Sequence, residues 1–173
     1  MGIISWVGLT LFALFLFAAL MIIFVYFKLV YLKFQLKKEW DDIVFQLKAR
    51  YDLVPTLVSL VAQYDIKEKD LLENIVKFRV ASMSVVEPER KKEAEDGLTQ
   101  ALKEMFDVVG NYPDLKKNES FLTLKKELDA VKRGIQLLKG RYSNIVRKFN
   151  SLIGSFPYSF MAKLFGFSKI NHF

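Results

Sequence analysis

The chain opens with 27 residues, Met1 to Phe27, that carry no charge and only two aliphatic hydroxyl side chains, Ser5 and Thr10. About 25 helical residues span roughly 37 Å, enough to cross a hydrocarbon layer of about 30 Å with some tilt. A cleaved secretory signal has a basic start, a shorter apolar core and a small-residue cleavage site, and none of these is found here. We therefore expect residues 1–27 to form an uncleaved transmembrane anchor in the lipid bilayer.

The residues beside this run predict how the anchor lies in the membrane. Trp6 and Tyr26 are about 30 Å apart on a helix, which is the separation of aromatic side chains at the two membrane interfaces. Lys28 is the first charge after the run, and Lys33, Lys37 and Lys38 follow it. Because Lys and Arg beside a span are retained on the cytoplasmic side, we expect the N-terminus outside and the bulk of the chain in the cytoplasm.

Composition limits what the rest of the chain can do. It has the size of one domain and holds the whole formal charge of +7. Its basic residues are interleaved with acidic ones, which favours a solvated or lipid-facing surface and argues against a nucleic-acid partner. There is no cysteine, His172 is the only histidine, and no GxSxG, HExxH or phosphate-loop motif occurs. We therefore predict no enzyme, and no catalytic, cofactor-binding or metal-binding residues.

Apolar residues recur at steps of three and four through most of residues 28–154, as expected of helices that bury one face. Pro88 marks the start of a third helix, Gly110 its end, and Asn118 the cap of a fourth. The first stripe is Leu29, Leu32, Leu36, Trp40, Ile43, Leu47, Tyr51 and Val54, and the second is Leu57, Val61, Tyr64, Leu71, Ile75 and Phe78. The predicted fold is all-α: one transmembrane helix continuing into a cytoplasmic, antiparallel up-and-down bundle of four segments.

The junction between the first two stripes contains Arg50, Asp52 and Pro55. Proline removes one hydrogen bond from a helix and clashes with the preceding turn. Either one very long helix is kinked at Pro55, or the chain reverses sharply and Asp52 caps a new helix. A continuous rod of roughly 85 Å would leave much of its apolar stripe without a partner. We therefore favour the reversal, with these three residues as its determinants.

A phenylalanine-rich tail, residues 155–173, follows the bundle. As a short helix after Pro157 it would place apolar side chains on one side and leave lysines for lipid head groups. Two interpretations stay open, a lipid contact and a tail folded back to close the end of the bundle. If the helix were continuous at Pro55, the tail would lie far from the membrane. The predicted membrane or partner surface is Phe160, Leu164, Phe165 and Phe167.

Several short motifs together resemble the LemA family of bacterial membrane proteins. They are Trp40, Ile43, Gln46 to Lys48, Arg50 to Pro55, Leu57, Val58, Tyr64, Tyr112 to Leu115, Asn118, Phe121, Arg141 to Asn144, Phe149, Asn150, Ser155 to Pro157 and Leu164 to Phe167. The family often has His where Tyr51 stands and Ala where Glu39 stands. The resemblance implies a single N-terminal membrane helix, a cytoplasmic antiparallel bundle and no established enzymatic activity. It supplies no catalytic residue.

These observations lead to two functional hypotheses. The first is a scaffold or interaction protein at the cytoplasmic face of the bacterial inner membrane, which binds a protein partner or a second copy and contributes to membrane organisation. The alternative is a sensory or regulatory protein that transmits a change in bundle packing through its first helix. The absence of a helix breaker between Phe27 and Asp52 motivates the alternative.

Overall fold

The computed structural model describes residues 2–64, 67–85, 87–171 and 173. Met1 of the predicted anchor and His172 lie outside them. The described residues form helices and no β-strand. The helices are α1 (Gly2–Ala62), α2 (Lys69–Ser84), α3 (Pro88–Val109), α4 (Pro113–Lys117), α5 (Glu119–Gly154) and α6 (Tyr158–Leu164). The prediction of an all-helical chain is confirmed.

Helix α1 is the one described helix that is long and apolar enough to cross a membrane, and its most apolar stretch is not buried by protein. The large apolar side chains from Trp6 to Phe24 are exposed, whereas Val25 and Leu29 are buried. Contact with the rest of the protein therefore begins in the last turns of the apolar run. The predicted interface residues Trp6, Tyr26 and Lys28 are all exposed.

Pro55 lies inside α1, which continues to Ala62. The predicted reversal at Pro55 is therefore wrong, and Asp52 is an exposed residue within a helix instead of a cap. Leu57 and Val61 of the second predicted stripe extend the first one, because the step of three from Val54 to Leu57 keeps the helical phase and these side chains are buried. Leu71, Ile75 and Phe78 of that stripe lie instead on α2. The chain leaves the helix after Ala62, where α1 has no further apolar turn to bury.

The other helix boundaries follow local sequence signals. Pro88 lies in the first turn of α3, which ends before Gly110. The side-chain oxygen of Asn118 accepts a hydrogen bond of 3.0 Å from the backbone N–H of Phe121, so Asn118 caps α5 as predicted. The Asn118 amide also donates to the hydroxyl of Tyr64 at 2.9 Å. This second bond ties the start of α5 to the segment that follows α1.

The chain divides into two compact units, and α1 and α5 contribute to both. The first unit contains the described residues up to Lys38 and Ser143–Asn171, and the second contains Glu39–Tyr142 and Phe173. The buried apolar side chains of the first unit are Val25, Leu29, Leu32, Leu36, Val146, Phe149, Ile153, Met161 and Ala162. The core of the second unit is formed by the buried stripes of α1, α3 and α5, with Ile75 from α2 and Leu115 from α4.

Candidate functional site

The tail packs against the end of the apolar run in the first unit. The ring of Tyr26 lies 5.0 Å from the ring of Phe165 and 6.5 Å from that of Phe167. Phe167 also meets Phe149 of α5 at 6.3 Å. The expectation that a continuous α1 would place the tail far from the membrane is therefore wrong, because the tail contacts the residues where the apolar run ends.

This packing buries one side of α6 and leaves the other side open. Met161 and Ala162 are buried, whereas Phe160 is 63% exposed and Leu164 is 64% exposed. Phe156 and Phe165 are exposed as well. We call Phe156, Phe160, Leu164 and Phe165 the tail surface. Of the four predicted surface residues, Phe160, Leu164 and Phe165 belong to it, and Phe167 instead packs between α1 and α5.

Two lysines of α1 lie over aromatic rings beside the tail surface. The Lys28 ammonium is 5.5 Å from the ring centre of Tyr158 and 5.9 Å from that of Phe24. The Lys33 ammonium lies 4.8 Å from the ring centre of Phe167. Such cation–π contacts stabilise a charge without supplying it with a hydrogen-bond acceptor.

A second candidate site is a buried ionic cluster in the second unit. Arg50 of α1 and Glu95 of α3 form an ion pair in which the two side chains are 7% and 2% exposed. The hydroxyl of Tyr51 donates a hydrogen bond to the other carboxylate oxygen of Glu95. Arg50 also donates from Nη1 to the hydroxyl of Thr99 at 3.0 Å. One carboxylate thus binds two neighbouring side chains of α1.

Lys91 completes this cluster from the start of α3. Its buried ammonium donates to the carbonyl oxygens of Ser82 at 3.0 Å and Val85 at 2.9 Å, at the C-terminal end of α2. A lysine placed there satisfies carbonyls that have no helical partner. Burial lowers the pKa of Lys91 below its ordinary value, and the nearby charge of Glu95 opposes that shift.

Tyr51 connects the cluster to the irregularity at Pro55. Pro55 has no N–H to donate to the carbonyl of Tyr51, four residues earlier. The Nε–H of Arg79, from α2, donates to that carbonyl oxygen at 2.7 Å. Burial raises the pKa of the Tyr51 hydroxyl far above its ordinary value, and the hydrogen bond to Glu95 adds to this shift. The backbone carbonyl of Tyr51 therefore holds α2 against α1, and its hydroxyl holds α3 against α1.

Two small cavities adjoin Arg50 and Thr99. One, of about 110 Å³, is lined by Phe106 and Leu128 among others. The other, of about 120 Å³, also contacts Glu95. Within the described residues, no group of three His, Cys, Asp or Glu side chains is placed to hold a metal ion. The ionic cluster joins α1, α2 and α3, and its polar groups bind mainly one another.

A family model for LemA matches residues 39–173, which include most of the chain. The chain belongs to the LemA family. No curated protein matches it. The LemA match covers both the ionic cluster and the tail surface, and leaves the apolar run outside. The helical fold agrees with what the resemblance implied, and so does a helix α1 that is long and apolar enough to cross a membrane.

The sequence predicted only part of the ionic cluster. Arg50 and Pro55 are joined to it, Arg50 directly and Pro55 through the carbonyl of Tyr51, whereas Asp52 points to solvent. In the sequence Glu95, with Glu93 and Asp96, is typical of a solvated helix face. That interpretation is wrong, because Glu95 is buried. The signal was its spacing, since Glu95 lies three residues before buried Leu98 and Lys91 lies four residues before Glu95.

Proposed function

We propose that this LemA-family protein is a non-catalytic scaffold, anchored by α1 in the bacterial inner membrane with the bulk of its chain in the cytoplasm. The observation that carries the proposal is the tail surface, whose exposed apolar side chains lie beside the end of the apolar run. A protein that only needed a tether would gain nothing from exposing Phe160 and Leu164 there. A second membrane contact fixes the orientation of the first unit on the bilayer, as a scaffold requires.

The orientation rests on charge. Lys28 and Lys33 follow the apolar run, which itself carries no charged side chain, so the rule that retains positive charge inside favours a cytoplasmic body. The non-catalytic assignment rests on the ionic cluster, in which Arg50, Glu95 and Tyr51 are committed to one another. Catalysis instead needs an acid, base or nucleophile that faces a substrate.

The test uses the full chain in lipid nanodiscs. Because the protein has no cysteine, a single Phe160→Cys substitution can carry an environment-sensitive fluorophore. We expect spin-labelled lipids to quench this probe strongly. The matched control is Leu137→Cys, at a residue of α5 in the second unit that is equally exposed, and its probe should be quenched only weakly. Equal, weak quenching of the two probes would remove the second membrane contact.

We also propose that α1 and α5 run antiparallel within the second unit. Gln46 lies beside Gly134, whose added Cβ would be 3.5 Å from the Gln46 side chain, and Ser59 lines one groove with Thr123. As residue numbers rise along α1, the numbers of the neighbouring residues on α5 fall. Cysteine pairs at positions 46 and 134 and at positions 59 and 123 should form cross-links. A pair at positions 59 and 137 should not, because Leu137 lies about 21 Å beyond Thr123 along α5.

A sensory role remains the second candidate, because α1 is one helix from Gly2 to Ala62 and a helix without a break can transmit movement. The same cross-links distinguish the two functions in cells. A scaffold should give equal yields at 46–134 under all growth conditions, and a sensor should change that yield with a stimulus. A partner or a second copy is tested by extracting the protein from membranes in mild detergent. The particle size is then measured and the proteins that accompany it are identified.

A further inference from the structure

The charge of this protein is divided sharply between the two units. The first unit contains eight Lys and Arg residues and no Asp or Glu, whereas the second contains eighteen basic residues and all nineteen acidic ones. The net positive charge of the chain therefore comes entirely from the unit that carries the apolar run and the tail surface. The eight basic residues are Lys28, Lys33, Lys37, Lys38, Arg147, Lys148, Lys163 and Lys169.

Without carboxylates in this unit, its cations have no ion-pair partner there. Lys28 and Lys33 lie over the rings of Tyr158 and Phe167, and the N–H donors on the far side of each ammonium can bind another acceptor. Lys163 lies in the last turn of α6, one residue before the exposed Leu164. Cationic donors and exposed apolar side chains thus occupy one surface.

We propose that the first unit binds anionic phospholipids selectively. Lys28 and Lys33 take the phosphodiester oxygens of the head group, and the tail surface enters the adjoining acyl region. This inference rests on the proposed membrane contact of the tail and names the lipid class that the contact prefers. Complementary charge is worth roughly a five-fold increase in binding for each lysine near an anionic surface.

Position identifies the phosphate as part of a lipid and not as a soluble anion. The lysines lie within seven residues of Tyr26 and over two aromatic rings of the tail. The same tail exposes Phe160 and Leu164, which a soluble ligand would leave in water. A bilayer covers the apolar side chains and presents phosphate at the same level. The aromatic rings beneath the ammonium groups suit this boundary, where Trp and Tyr concentrate in membrane proteins.

The experiment measures lipid selectivity with the full chain in phosphatidylcholine membranes. Spin-labelled phosphatidylglycerol and phosphatidylcholine are compared by the fraction of each that the protein immobilises. We expect the relative association constant to favour phosphatidylglycerol by roughly 25-fold for the two lysines together and to fall with added salt. The double variant Lys28→Gln/Lys33→Gln should lower this ratio toward one. The control, Lys116→Gln/Lys117→Gln, removes the same charge from α4 in the second unit and should preserve the ratio.

Helicity by circular dichroism checks that each variant is folded, and the salt dependence of the unaltered protein tests the proposal without any variant. A ratio near one in the unaltered protein, or an equal loss in both double variants, would overturn the lipid selectivity. Displacement of the labelled lipid by millimolar glycerol phosphate would also overturn it, since the ligand would then be a soluble anion. If the Phe160 probe is quenched by lipid while the ratio is one, the membrane contact stands and only the selectivity fails.

Discussion

Arg79 donates its Nε–H to the carbonyl oxygen of Tyr51 at a distance of 2.7 Å. Tyr51 lies four residues before Pro55, so this carbonyl is the one that loses its helical donor to the proline. A side chain from α2 thus replaces the missing backbone group of α1. This bond shows how a helix of 61 residues passes through a proline and still buries a continuous apolar stripe.

We expect Arg79→Met to destabilise the protein by about 1–3 kcal/mol, because it leaves the Tyr51 carbonyl without a donor. Pro55→Ala supplies a backbone N–H to the same carbonyl. Arg79→Met should therefore lower the free energy of unfolding much less in the Pro55→Ala protein than in the unaltered protein. Urea unfolding in detergent, followed by circular dichroism, gives the free energies of the cycle. The control is Arg90→Met at an exposed ion pair, which should change little. Additive effects of the Arg79 and Pro55 changes would contradict this account.

The ion pair between Arg50 and Glu95 is buried, so removing one partner should be costly. Arg50→Met leaves the Glu95 carboxylate without its cation, and we expect a loss of about 3–5 kcal/mol in the free energy of unfolding. The double variant Arg50→Met/Glu95→Leu removes both charges and should recover a large part of that loss. If the double variant were no more stable than Arg50→Met, the cost would come from packing instead of an unpaired charge.

Tyr51 predicts how stability depends on alkaline pH. Burial and the bond to Glu95 raise the pKa of its hydroxyl in the folded protein, above the ordinary value of about 10. Below that pH the phenol is protonated in both states, and its full contribution is present. Above about pH 10 the unfolded chain releases this proton while the folded protein retains it, so the free energy of unfolding falls. Tyr51→Phe should reduce that slope, and identical slopes for both proteins would refute the assignment.

Gly97 brings α3 close to α2. A Cβ added there would lie 2.5 Å from Cε1 of Phe78, whereas nothing lies within 4 Å of one added at Gly140. Gly97→Ala should therefore destabilise the protein by about 1–3 kcal/mol through overpacking. Gly140→Ala should stabilise it by up to about 1 kcal/mol, because alanine favours a helix. Thermal melting in detergent compares the two, and a stabilised Gly97→Ala would show that α2 and α3 are not closely packed.

The sequence was sufficient where a local signal decides the structure. Alternating steps of three and four predicted the buried side chains of α1 from Leu29 to Val54, of which only Trp40 is half-buried. Pro88 and Asn118 located two helix starts, since each acts on backbone groups within one turn. The same stripe also ran through Pro55 without a change of phase, which was the sequence evidence for a continuous helix.

Tertiary structure decided the features that depend on residues far apart in the chain. Pro55 is tolerated because Arg79, 24 residues later, supplies the missing donor. Glu95 is buried because Arg50 and Tyr51 neutralise and bind it. The ring of Phe165 meets that of Tyr26, 139 residues earlier in the chain, and no local pattern predicts such a contact. Local periodicity fixes which face of a helix is apolar, but only packing between helices determines which distant group satisfies a buried polar atom.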